Sequence, residues 1–212
     1  MQRHGLQFIT NGSGVAETVA QARAAISGGC RWVQVRMKES PVAEVVEALD
    51  ALIPLCAEQN VTLIVDDHVQ LALKDGVNGV HLGQNDMKVR EARQILGVEK
   101  IIGLTVNSLA HVAVALAERP DYIGLGPWRF TGTKAKLAPV LGADGVREII
   151  SRLRAGGFGT PIVVIGGIVA DDVADVLACG ADGVAVSGAI SAADNPASAA
   201  TQFIEKLEEH NI

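Results

Sequence analysis

The strongest constraint on this chain is an alternation. Short β-branched runs take turns with longer stretches whose apolar residues recur at helical spacing, and the cycle repeats eight times. The spacing predicts strands over 6–10, 31–37, 61–65, 79–82, 100–104, 122–125, 162–165 and 183–186. It predicts helices over 14–27, 41–59, 69–74, 86–96, 108–118, 143–154, 171–178 and 196–208. Continuous apolar strands imply burial on both faces, as in a parallel sheet. Strict alternation with helices excludes a sandwich or a bundle. Eight units favour a closed single-domain α/β fold, the (β/α)8 TIM barrel, spanning residues 1–212, which is near the compact limit for that architecture. An open doubly wound sheet is the alternative. It usually carries a glycine-rich fingerprint after its first strand, and here Gly12-Ser13-Gly14 is only a fragment of one.

Composition narrows the function. Hydrophobic residues make up 49% of the chain and are nearly all aliphatic, which suits buried strands. Aromatics at 3% leave little for a base-stacking platform, and a net charge of −6 argues against a wide phosphate-backbone footprint. The longest apolar stretches are about half of the roughly 20 residues a membrane-spanning helix needs. Cys30, Cys56 and Cys179 are scattered without metal-ligand spacing, as expected of reduced, buried thiols in a cytoplasmic protein.

In a barrel of this kind chemistry sits at the C-terminal ends of the strands. Polar residues collect there. Gln34, Arg36 and Lys38 follow one another at period two, so they share a side of the second strand. Two cations entering a barrel mouth need anions, and Asp66, Asp67, Asp86 or a bound phosphate can supply them. Asp67 and Asp86 have an ordinary use as helix caps. They also match a Mg²⁺ site shared with substrate phosphates. His81, at a strand end, suits a structural hydrogen-bonding role better than direct action on a substrate.

The segment 126–141 is long for a strand–helix connection and offers Thr131, Thr133 and Lys134 as donors to phosphate oxygens. Gly166-Gly167 and Ser187-Gly188 end the seventh and eighth strands, where barrels often hold a phosphate on backbone N–H groups. Tight turns would equally demand those glycines. Asp171 and Asp172 read as first-turn acids of the next helix, without a catalytic role.

With these residues placed, the chain resembles the thiamine phosphate synthase family over nearly its whole length. The carriers are QVRMKE at 34–39, the Asp66-Asp67 pair, GVHLGQNDM at 79–87, IIGLT at 101–105, YIGLGP at 122–127, TGTK at 131–134, IGGI at 165–168 and GADGVAVSGAI at 180–190. The resemblance implies a transferase that joins a pyrimidine diphosphate to a thiazole phosphate and releases pyrophosphate. It implies that Gln34, Val35, Arg36, Met37 and Lys38 bind the pyrimidine diphosphate, with Arg36, Lys38 and Lys134 facing its phosphates as catalytic groups. Asp67 and Asp86 would hold Mg²⁺ as the cofactor. Thr131, Gly132, Thr133, Gly167, Val186 and Ser187 would bind the thiazole phosphate. Thr105 occupies the place of a pyrimidine-site serine. Where the family has Asn-Asp-Arg, this chain has Asp66-Asp67-His68, so Asp66 adds a negative charge beside the substrate site. The partners implied are the two small substrates, with no nucleic acid and no membrane, and homo-oligomer formation is left open. Two other readings remain: a thiazole tautomerase-like relative on the same barrel, and a non-catalytic thiazole- or phosphate-binding protein.

Overall fold

A computed structural model describes residues 5–130 and 138–210. Eight parallel strands close into a barrel in chain order. They are β1 (Leu6–Ile9), β2 (Trp32–Val35), β3 (Thr62–Asp66), β4 (Gly79–Leu82), β5 (Ile101–Val106), β6 (Tyr122–Leu125), β7 (Ile162–Ile165) and β8 (Gly183–Val186). Closure comes from β1 pairing with β8, Leu6 opposite Val184 and Phe8 opposite Val186. The open-sheet alternative is thereby excluded for the described residues.

The helices are α1 (Val15–Ser27), α2 (Val42–Glu58), α3 (Val89–Leu96), α4 (Ala110–Glu118), α5 (Gly142–Ala155), α6 (Val173–Ala178), α7 (Gly188–Ser191) and α8 (Pro196–Glu208). Several of the expected boundaries move. The segment 69–74 is a 3₁₀ turn over Val69–Leu73 rather than an α-helix. The helix expected from 86 begins only at Val89, with Lys88 at its cap. Asp86 is therefore not its N-cap. Its carboxylate instead accepts the Gly83 N–H at 2.6 Å, which closes a tight turn ahead of the helix and leaves Asp86 at the barrel mouth. The second strand also stops at Val35, two residues short of the expected end. The four-residue α7 was not anticipated, because it is too short to show a periodic pattern.

Strand alternation creates two cores. Outward residues such as Val33, Val35, Leu63 and Val164 pack under the helices in one large aliphatic layer. Inward residues fill the barrel with Ile9, Trp32, Ile64, Tyr122, Val163 and Ala185. Trp32 and Tyr122 meet edge to face at 4.7 Å between ring centres, a favoured aromatic geometry.

At the N-terminal end of the barrel the same device occurs twice. Asp121, just before β6, accepts the Ile102 N–H of β5 at 2.7 Å and pairs with Arg93 of α3. Asp182, just before β8, accepts the Ile162 N–H of β7 at 2.8 Å and pairs with Arg154 of α5. Each arginine also donates to two carbonyls of the turn that follows its own helix: Gly97 and Lys100 for Arg93, Phe158 and Thr160 for Arg154. Asn78 does the carboxylate's part for β3, accepting the Leu63 N–H at 2.7 Å. Among the described residues no helix is long and apolar enough to cross a membrane. The three cysteines are free and buried, and burial pushes the Cys30 and Cys56 thiols up to about 11, which keeps them protonated and inert.

Candidate active site

The C-terminal ends of the strands surround a cavity of about 1140 Å³. Gln34, Arg36, Met37 and Lys38 from the end of β2 line it, as do Asp66 and Asp67 after β3 and His81, Gln84 and Asp86 after β4. Thr105, Gly167, Val186 and Ser187 contribute from the other side. Val35 does not: it points outward and is fully buried in the layer under the helices. Thr131, Gly132, Thr133 and Lys134 lie outside the described residues.

The polar groups at the ends of β2 and β3 form one charged cluster. Asp66 Oδ1 accepts from Gln34 Nε2 at 2.7 Å, and its Oδ2 stands 3.5 Å from Arg36 Nε and 3.7 Å from Lys38 Nζ. The extra carboxylate is thus compensated by two cations of the neighbouring strand. Lys38 Nζ lies closer still to Asp67 Oδ2, at 2.8 Å. Burial works against the Lys38 charge, but the Asp67 hydrogen bond and the Asp66 and Asp67 charges outweigh it and raise its pKa.

Asp67 has φ of 62°, in the left-handed region that a residue with a Cβ enters at a cost of about 1–3 kcal/mol. Its N–H bonds the His81 carbonyl at 2.9 Å, which fixes the turn at the end of β3. Asp86 comes from the next loop. Burial first, then a hydrogen bond with Asp67 and its charge, raise the Asp86 carboxyl above its usual range, while the Gly83 N–H and Lys38 pull the other way. Two neighbouring carboxyl groups, one raising the pKa of the other, are the kind of pair a divalent cation can bridge.

On the far side, Gly166 and Gly167 have φ of 104° and 67°, so the turn after β7 needs residues without a Cβ. Trp128 N–H and Arg129 N–H bond the Ile165 and Gly166 carbonyls, carrying the chain that leaves β6 alongside this turn. Arg129 Nη2 pairs with the buried Asp172 carboxylate at 2.5 Å, and Asp172 also accepts the Val169 N–H. Asp172 therefore serves in structure, fastening the 126–130 segment to the glycine turn.

Below the cluster a line of hydrogen-bonded polar side chains crosses the barrel centre. Gln7 Nε2 donates to the Tyr122 hydroxyl at 3.1 Å, which lies 2.9 Å from His81 Nδ1. His81 Nε2 lies 2.9 Å from Thr105 Oγ1. Gly103 and Gly124 make room for it: a Cβ at 103 would come within 2.1 Å of the Tyr122 ring, and one at 124 within 3.1 Å of His81. Gln7 was missed in the sequence. Its signal was available, as one amide in the middle of the apolar run Leu6–Ile9.

The family model described as thiamine monophosphate synthase matches residues 6–190. This chain belongs to that family. It is 47% identical to the thiamine-phosphate synthase of Bacteroides fragilis over 191 residues, covering 90% of this chain and 94% of the relative. It is 43% identical to that of Flavobacterium psychrophilum over 202 residues, covering 95% and 98%. Among solved structures, thiamine phosphate pyrophosphorylase from Pyrococcus furiosus superposes with a TM-score of 0.86 at 32% identity, over 99% of this chain and 98% of that one. Membership of the thiamine monophosphate synthase family gives the cavity a chemistry to be tested against its geometry. The β2–β4 ends set Arg36 and Lys38 beside the carboxylates of Asp66, Asp67 and Asp86 on one wall of that cavity.

Proposed function

We propose that this chain joins 4-amino-2-methyl-5-hydroxymethylpyrimidine diphosphate to 4-methyl-5-(2-hydroxyethyl)thiazole phosphate, releasing pyrophosphate and thiamine phosphate. The observation that carries the reading is the cluster of Arg36, Lys38, Asp66, Asp67 and Asp86 at one wall of the mouth, in a member of this family.

Cleavage of the C–O bond to the diphosphate builds negative charge on the leaving group, and groups that meet that charge lower the barrier. Arg36 and Lys38 are placed to do so, each held by Asp66 in the absence of substrate. Asp67 and Asp86 would hold a Mg²⁺ ion beside the diphosphate. Mg²⁺ bound there supplies charge neutralisation to the departing pyrophosphate. Gln34, held by Asp66 and lining the cavity, orients the pyrimidine. The thiazole phosphate sits against the glycine turn at Gly167 and the Val186-Ser187 end of β8, and the family resemblance adds Thr131, Gly132 and Thr133 to its binders and Lys134 to those of the diphosphate. The thiazole nitrogen then attacks the pyrimidine methylene as pyrophosphate leaves. No side-chain nucleophile takes part. The chain's contribution is positioning and charge.

The test is release of pyrophosphate when purified protein meets both substrates and Mg²⁺. Release that requires all three supports the reading. Thiazole isomerisation without release would favour the tautomerase-like alternative, and binding of either ligand without turnover would favour a binding protein.

A further inference from the structure

The buried line from Gln7 to Thr105 has a direction. An amide nitrogen only donates, so Gln7 Nε2 occupies a lone pair of the Tyr122 oxygen. Burial raises the Tyr122 hydroxyl far above its usual range, so it keeps its proton and needs an acceptor for it. The acceptor on its other side is His81 Nδ1, at 2.9 Å. An imidazole that accepts at Nδ1 carries its proton at Nε2. That N–H points at Thr105 Oγ1, also at 2.9 Å. The threonine oxygen then accepts a hydrogen bond from below, and its own hydrogen is left to point upward. Thr105 lines the cavity, and its carbonyl is already engaged by Gln84 Nε2.

We propose that Gln7, Tyr122 and His81 act as positioning residues that set the polarity of the Thr105 hydroxyl, making it a hydrogen-bond donor into the pyrimidine pocket. Such a donor selects an acceptor on the substrate, an unprotonated ring nitrogen or a phosphate oxygen, and disfavours a substrate that presents an N–H at that point. The threonine is what discriminates, and the residues beneath it decide which way it does so. The inference deepens the proposed function in naming a substrate contact, but the histidine tautomer on which it stands belongs to the protein alone.

The first measurement uses the unaltered, ligand-free protein. Imidazole ¹⁵N spectra at neutral pH are expected to show His81 with hydrogen on Nε2 and a bare Nδ1. Hydrogen on Nδ1, or on both nitrogens, would overturn the proposal whatever the protein catalyses. The second compares Tyr122→Phe, Thr105→Val and their combination. Tyr122→Phe should release the tautomer, so that hydrogen appears on Nδ1. It should also lower turnover about tenfold, the effect of one misdirected hydrogen bond. Thr105→Val should do at least as much, and the double variant should be no slower than Thr105→Val alone. Thr105→Ser should restore turnover. Multiplicative losses in the double variant would show that Tyr122 acts on something other than Thr105 and would also overturn it. A protein with the expected tautomer that releases no pyrophosphate would instead count against the proposed function.

Discussion

Lys38 Nζ and Asp67 Oδ2 are 2.8 Å apart, so the lysine occupies one face of a carboxylate that the metal reading also needs. The ammonium and a divalent cation compete for that oxygen. Lys38→Met should therefore tighten binding of Mg²⁺ in the absence of substrate, read by titration calorimetry. The same change should slow pyrophosphate release by about a hundredfold, because a charge facing the leaving group is gone. The opposite movement of the two quantities is the signature of this pair.

Asp86 makes the stability of the cation-free protein depend on pH in a defined sense. Its raised carboxyl holds a proton in the folded chain at a pH where the unfolded chain, near 3.8, has already lost it. Its contribution to stability is then present below 3.8 and is lost as pH rises through the raised folded value. Asp86→Asn keeps an acceptor for the Gly83 N–H and removes this penalty. At neutral pH it should be more stable than the parent without Mg²⁺ in urea unfolding, and it should bind Mg²⁺ more weakly. In the parent, Mg²⁺ affinity should fall on acidification at a higher pH than an ordinary carboxylate would give, since the ion must expel that proton.

Gly103→Ala places a methyl where the Tyr122 ring stands, at 2.1 Å from its nearest carbon. Trp32 packs against the ring at 4.7 Å between centres and opposes its displacement. Overpacking of this sort costs about 1–3 kcal/mol. The variant should unfold at lower urea concentration, and its His81 tautomer should become mixed as the hydroxyl is displaced.

Asp182→Ala removes the acceptor of the Ile162 N–H and the partner of Arg154 at the opposite end of the barrel from the chemistry. A loss of about 1–3 kcal/mol is expected in equilibrium unfolding, from the orphaned backbone donor and cation. KM for both substrates should stay unchanged. Asp121→Ala should behave alike, since Ile102 and Arg93 stand in the same relation to it.

The barrel was readable because its strands are apolar on both faces and its helices on one, so periodicity reports burial directly. Gln34, Arg36 and Lys38 could be grouped as alternate residues of one strand, and all three line the cavity; but β2 stops at Val35 and Met37 lines the cavity too, so past Gln34 it is the loop rather than the pleat that brings them there. Val35 shows the limit of reading a motif as a block, because the same rule turns it outward into the apolar layer. The position of Asp86 was less accessible. Whether a carboxylate caps the helix ahead or the turn behind depends on a hydrogen bond across three residues, which spacing alone leaves open. Gln7 and Tyr122 were hidden because their partners are 115 residues apart in the chain. The balancing of Asp66 by Arg36 and Lys38 likewise needed the β2–β3 register, with Gln34 opposite Ile64.

The paired clamps at the foot of the barrel also bear on where this chain could have been altered during its history. Each clamp binds a helix and two strands, α3 with β5 and β6, α5 with β7 and β8. Neither reaches across the stretch between β4 and α3 nor that between β6 and α5. Those two seams carry Asp86 and Thr131–Lys134. Segments there could be lengthened, shortened or exchanged without unfastening the frame, so that a single scaffold could try new substrates at the rim while its base stayed in register.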